Sequence, residues 1–281
     1  MIKSVFAATA LFAGLCWAQS TVQPKYMDRA LIEHNNSLAT VIANHPATLF
    51  TAISAIREQY GWGISWEAAP GYSRFDVVDA TGPKWRAAHP YAKGVTRPSG
   101  GRFVSTFPEM EDMSLISARA EVLTKVVQDY NASDNPGKYV LLANPDGQFA
   151  LVGTQVRDDT GALQSVTPLL DTPVTLGDEP RNVYDTVRAI LAALSARTGR
   201  RVIIMSVPNN LFINTQVTMG GDNVPARQLL LQALASTRRP LQYDLGYDPD
   251  VSVYILNVSV TARAVDDGFG GRKLIPIDRT H

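Results

Sequence analysis

Apolar residues recur along this chain in short blocks, and their spacing switches between the period of a helix and that of a strand. Leu38 to Ala43 read as a first short strand. Leu49, Ile53, Ile56 and Tyr60 then recur at i, i+4, i+7 and i+11, which makes one face of a helix. Pro46 suits the first turn of that helix, and Gly61 suits a left-handed residue closing it. Trp62, Ile64 and Trp66 alternate with Gly63 and Ser65, predicting a strand with one buried face.

The same order returns further along. Val187, Leu191 and Leu194 answer Leu49, Ile53 and Ile56 at an offset of 138 residues, and Gly199 answers Gly61. Val202, Ile203 and Ile204 supply the next strand. Beyond that point the offset is 104. Val122, Val126 and Tyr130 answer Ala226, Leu230 and Leu234 on a second helix, and Tyr139 and Leu141 answer Tyr243 and Leu245. The turn Asn144-Pro145-Asp146 answers Asp248-Pro249-Asp250. A fall in offset from 138 to 104 means that the first copy carries about 34 extra residues in its middle. The chain therefore reads as an α+β protein of two tandem small βαββαβ-type modules. Each would place two helices on a small mixed sheet.

The flanking segments are less regular. Residues 19–38 are mixed and polar, and predict a loosely held arm. Gln148 to Val156 and Ala162 to Pro168 flank Arg157-Asp158-Asp159-Thr160-Gly161, a hairpin signal. Pro173 to Leu176 open the second copy, and Gly177-Asp178-Glu179-Pro180 read as a linker into its helix. Residues 259–281 are rich in charge and glycine and predict a flexible tail, with Leu274 to Ile277 able to dock.

The second copy, 173–258, resembles the short N-terminal domain of secretins and TonB receptors. The likeness is carried by the helix Val183 to Thr198, by Thr198-Gly199, and by the strand Val202-Ile203-Ile204. It continues through Val217, the Gly220-Gly221 turn and the helix start Asn223-Val224-Pro225. Gln228-Leu229-Leu230-Leu231-Gln232-Ala233-Leu234, Leu241-Gln242-Tyr243 and Val253-Tyr254-Ile255-Leu256 complete it. The first copy, 38–168, is a more divergent STN-like match. The resemblance implies a periplasmic module that contacts protein partners. The family has no invariant catalytic residue, and neither pore nor transporter function is carried over from it.

Residues 1–18 fit that compartment. Lys3, the apolar run Val5 to Trp17, and Cys16 and Ala18 at the −3 and −1 positions read as a secretory signal peptide. The single cysteine lies inside it, so the mature chain would have neither disulfide nor thiol chemistry. The formal charge is zero, which speaks against a nucleic-acid partner. No later segment has the length of a membrane-spanning helix.

Candidate chemistry concentrates in the insertion, 70–107. Arg74, Lys84, Arg86, Lys93, Arg97 and Arg102 stand against only Asp76 and Asp79, interleaved with Tyr72, Phe75, Trp85, Tyr91, Phe103 and Phe107. Arginine and aromatic side chains together suit a binding hot spot. Trp85, Arg86, Tyr91, Arg97, Arg102 and Phe103 are the binding candidates. The competing reading is a long loop pinned down by its own aromatics. Phe75 to Val78 and Arg102 to Ser105 could also pair as an extra hairpin. His34, His45, His89 and His281 are scattered, so no metal is expected, and no cofactor either. No Gly-x-Ser-x-Gly elbow or phosphate loop is present. The sequence predicts a non-catalytic interaction protein of the cell envelope, periplasmic or secreted, with an envelope protein as partner. The alternative is a binder of a glycan or small anion, through the insertion or the cleft between the modules.

Overall fold

The computed structural model describes residues 30–44, 47–69, 71–144, 147–268 and 271–277. The expected signal peptide, Pro46, and the Pro145-Asp146 turn lie outside them. The fold is α+β. Its first half runs β1 (Leu31–Asn35), β2 (Leu38–Ala43), α1 (Thr48–Tyr60), β3 (Ile64–Glu67), β4 (Val77–Asp79), α2 (Pro83–Ala88), β5 (Thr96–Pro98), β6 (Phe103–Pro108), α3 (Ile116–Ala132), β7 (Lys138–Ala143), β8 (Phe149–Arg157) and β9 (Leu163–Ser165). The second half runs β10 (Pro173–Asn182), α4 (Val183–Thr198), β11 (Arg201–Ser206), α5 (Asn209–Asn214), β12 (Gln216–Pro225), α6 (Ala226–Ala235), β13 (Leu241–Asp248) and β14 (Val253–Val260). The hairpin β15 (Ala262–Asp266) and β16 (Arg272–Pro276) follows.

Local chemistry sets the helix ends. Gly61 and Gly199 both take left-handed φ values, 70° and 67°, and return their N–H groups to Arg57 and Ser195. Asn182 caps α4 by accepting from the Asp185 amide at 2.8 Å, and its own amide group donates to the Asp185 carboxylate. The apolar faces of α1 and α3 close one core with β2, β3, β6, β7 and β8. Those of α4 and α6 close a second core with β10, β11, β13 and β14.

The main sheet runs in the order β11-β14-β13-β3-β8-β7, with β9 added on β8. β3 is parallel to β8 and β8 antiparallel to β7. β11 is likewise parallel to β14, and β14 antiparallel to β13. β2 pairs antiparallel with β6, as β10 does with β12. The halves thus share one pairing scheme, and it holds one strand more than the expected βαββαβ string. The helices also differ from expectation. They share their cores with a separate β2–β6 or β10–β12 pair as well as with the main sheet.

β13 and β3 join the halves by parallel pairing, Asp244 opposite Trp66 and Leu245 opposite Glu67. With β3 pointing up, β8 and β13 point up while β7, β14 and β11 point down. A half-turn about an axis across the strands, combined with a shift of three strands along it, therefore carries one three-strand set onto the other and exchanges the faces. The side chains agree. Ile64 and Trp66 face the first core, and Tyr243 and Leu245 face the second. Ser65 and Glu67 lie on the second half's side, where the Tyr243 hydroxyl donates to Glu67 at 2.6 Å. Arg227 of α6 makes two 2.7 Å hydrogen bonds to the same carboxylate. From the other face, Arg57 of α1 grips Asp244 at 2.6 and 3.2 Å.

Several expectations change. Strand β3 is buried on both faces, because α6 covers the side that alternation assigned to solvent. The expected arm contains β1, paired with β2. Gly177 to Pro180 belong to β10 and Gly220-Gly221 to β12, in a ladder broken by bulges. A Cβ on Gly220 would meet the backbone of Leu176 and Asp178 at 2.6 Å, so glycine is needed for that close approach. The expected flexible tail forms β15–β16, which packs on α1. The hairpin expected after Val156 is present as β8 and β9.

The joint gives a stability prediction. Glu67 is 1% exposed, so removing Arg227 would leave a buried carboxylate without its main counter-charge. Arg227→Met should cost about 3–5 kcal/mol in denaturant unfolding. The triple variant Glu67→Leu, Arg227→Met, Tyr243→Phe, which also removes the hydroxyl that donates to Glu67, should recover most of that loss.

Candidate functional site

The insertion is built around β4 and β5, which pair antiparallel with α2 between them. The hairpin expected between 75–78 and 102–105 is not what forms. β4 takes β5, and Phe103 to Pro108 become frame strand β6 beside β2. The insertion therefore ends before Phe103. Its base is held at two points. Buried Asp76 accepts from Arg157 at 2.9 Å, and the Asp250 carboxylate accepts from the Thr96 amide at 3.0 Å. Lys93 donates to the Asp250 carbonyl. The Asp250 turn of the second half thus clasps the insertion of the first.

The six candidate residues separate here. Phe103 is 2% exposed and meets Tyr130 edge-on at 5.5 Å, so it is a core residue. Trp85 and Arg86 sit on α2. Trp85 stacks on His89 at 4.7 Å and is 42% exposed. Arg86 is tied to Asp79 and donates to the Ala92 carbonyl at 2.7 Å. Tyr91 is 100% exposed, and Arg97 and Arg102 are exposed. Arg74 lies over the Phe75 ring at 4.9 Å and donates to the Asp159 carbonyl. The alternation of Phe103, Ser105 and Phe107 is strand periodicity, which is the signal that would have separated Phe103 from the loop.

Two further surfaces escaped sequence reasoning. The first is the outer edge of β11, which among the described residues pairs only with β14. A groove of about 520 Å³ runs between this strand and α4, lined by Tyr184, Arg188, Leu191, Ile203 and Ile204. Ser195 of α4 accepts from the outward Val202 amide at 3.1 Å. By the two-residue alternation of a strand, the Ile204 amide is the next to point outward. Met205 follows as a bulge residue, 66% exposed. The corresponding position in the first half is Glu67, the anchor of the joint.

The second surface is a cleft of about 940 Å³ between the start of α3, the end of α1 and the β15–β16 hairpin. Tyr60, stacked on Trp62 at 4.8 Å, forms one wall, and Arg119 and Arg263 line it as well. The Tyr60 hydroxyl donates to Glu109 at 2.7 Å. Burial first, and then the Glu109 carboxylate, push that hydroxyl far above its ordinary pKa. Burial lowers the Arg119 pKa, with Asp112 acting in the opposite direction. Among the described residues, no group of three or more His, Cys, Asp or Glu could hold a metal ion, and no helix is long and apolar enough to cross a membrane.

Comparison with protein-family models, with curated proteins and with solved structures gave no match to this chain.

Exposure and packing separate the candidates by stability. Trp85→Ala with Arg86→Ala should change unfolding free energy by less than about 1 kcal/mol. Phe103→Ala should cost about 3–5 kcal/mol. Thermal or denaturant unfolding of the two variants checks both.

Proposed function

We propose that this chain is a non-catalytic protein–protein interaction module of the cell envelope, periplasmic or secreted, and that it docks an extended segment of an envelope protein along β11. The observation that carries the reading is the joint itself. In the first half the edge of β3 already holds a strand, β13, in parallel pairing. In the second half the corresponding edge of β11 borders an open groove. Strand addition of this kind draws affinity from main-chain hydrogen bonds and selectivity from side-chain pockets. Exposed Met205, at the end of a strand carrying half-buried Ile203 and Ile204, favours a partner strand with apolar side chains.

The shared pairing scheme supports reading the halves as two copies of one unit. The likeness of 173–258 to the secretin and TonB-receptor short N-terminal domain supports an envelope role, as does the signal-peptide pattern of residues 1–18. A second reading has its own observation. The cleft beside Arg119 joins two arginines to an aromatic wall and would suit a glycan or a small anion.

A photo-crosslinking residue at Met205, with a control at Tyr91, tests the docking reading in the native envelope. A discrete adduct from position 205 that disappears with Ile204→Pro is the expected result. That proline removes an outward donor on an edge strand while sparing the ladder to β14. An adduct that persists in Ile204→Pro, or that arises only at position 91, would sink the reading. Partner binding that is lost in Arg119→Met, with no adduct from position 205, would point to the cleft instead.

A further inference from the structure

The half-turn that relates the two strand sets makes the outer edges of the sheet complementary. β7 is the counterpart of β13, and β11 is the counterpart of β3. Repeating the operation that sets β13 beside β3 would set β7 of one copy beside β11 of another, again in parallel. Such a head-to-tail contact does not close on itself and would continue as an open ribbon. An unguarded strand edge is the usual route to that kind of assembly.

One side chain interrupts the series. Asn131, in the last turn of α3, accepts from the Tyr139 amide at 2.9 Å and donates to the Tyr139 carbonyl at 2.7 Å. Both outward main-chain groups at the head of β7 are thereby occupied. At the 104-residue offset, Tyr139 corresponds to Tyr243 and Asn131 to Ala235. Ala235 offers no polar side-chain atom. There the Tyr243 amide donates across the joint to the Ser65 hydroxyl at 3.1 Å, and the Leu245 carbonyl accepts from the Ala68 amide at 2.8 Å. The same place in the frame thus holds asparagine where the sheet stops and alanine where it continues.

We propose that Asn131 ends the sheet, shielding β7 from the β11 edge of a second copy of this chain. The joint then forms once within each chain and not between chains.

Light scattering over a concentration series tests this with the full chain. Asn131→Ala should rise in mass with concentration relative to the wild type, and adding Ile204→Pro should restore the wild-type size. The proposal fails if natively folded Asn131→Ala keeps the wild-type size, or if the double variant assembles equally well. If Asn131→Ala does not fold, Ala235→Asn decides. It gives β13 the same seal, and amide exchange at Ala68 should speed up by about tenfold or more. Unchanged exchange there overturns the proposal. This arm does not involve β11, so it stands apart from the docking reading.

Discussion

The parallel pairing of β13 with β3 is the interaction on which the rest of this structure depends. It is short, with Asp244 and Leu245 opposite Trp66 and Glu67, yet it turns two strand sets into one sheet. Side chains reinforce it from both faces. Arg57 reaches Asp244 from the first half, and Arg227 with Tyr243 reaches Glu67 from the second. Burial of the Arg227 guanidinium disfavours its charge, but the Glu67 carboxylate outweighs that and raises the pKa of the group. Burial, followed by the Glu67 charge, drives the Tyr243 hydroxyl strongly upward as well. Desolvation of charges so placed offsets much of their attraction, so removing one partner costs more than replacing the whole group by apolar side chains.

The two halves share a frame and differ at their edges. Glu67 in β3 corresponds to Met205 in β11, so an ionic anchor inside the joint is replaced by an exposed apolar side chain outside it. Asn131 corresponds to Ala235, so a sealed edge is replaced by a joined one. The insertion is a third difference, and Asp250 ties it to the opposite half. The first two differences leave the helices and ladders alone and act on where a strand can be added.

Much of the frame was legible in the sequence because helices and hairpins are set locally. Strand Leu38–Ala43, helix Val183–Thr198 and the two left-handed glycine caps follow from spacing and cap chemistry. What stayed hidden depends on distant residues. Ser65 and Glu67 look like the solvent side of a strand until Tyr243 and Arg227 arrive from more than 150 positions away. Gly220-Gly221 looks like a turn because its role, close approach to β10, lies in another strand. Charge and glycine made residues 259–281 look flexible, although Ala262 and Ala264 alternate along β15 and Leu274 pairs opposite Ala264. The aromatic and basic content of the insertion drew attention to binding. Phe103, with the aromatic residues nearest it, was in fact filling the core.

The position of the joint in the chain also imposes an order on biosynthesis. β3 is complete at Glu67, but its partner at Leu245 is made 178 residues later. At roughly 5–20 residues per second, that interval is on the order of ten to forty seconds. Throughout it, the edge of β3 opposite β8 stays without its strand, and Glu67 stands on the face that α6 covers last. Glu67 finds its partners Arg227 and Tyr243 only when the second half has been made.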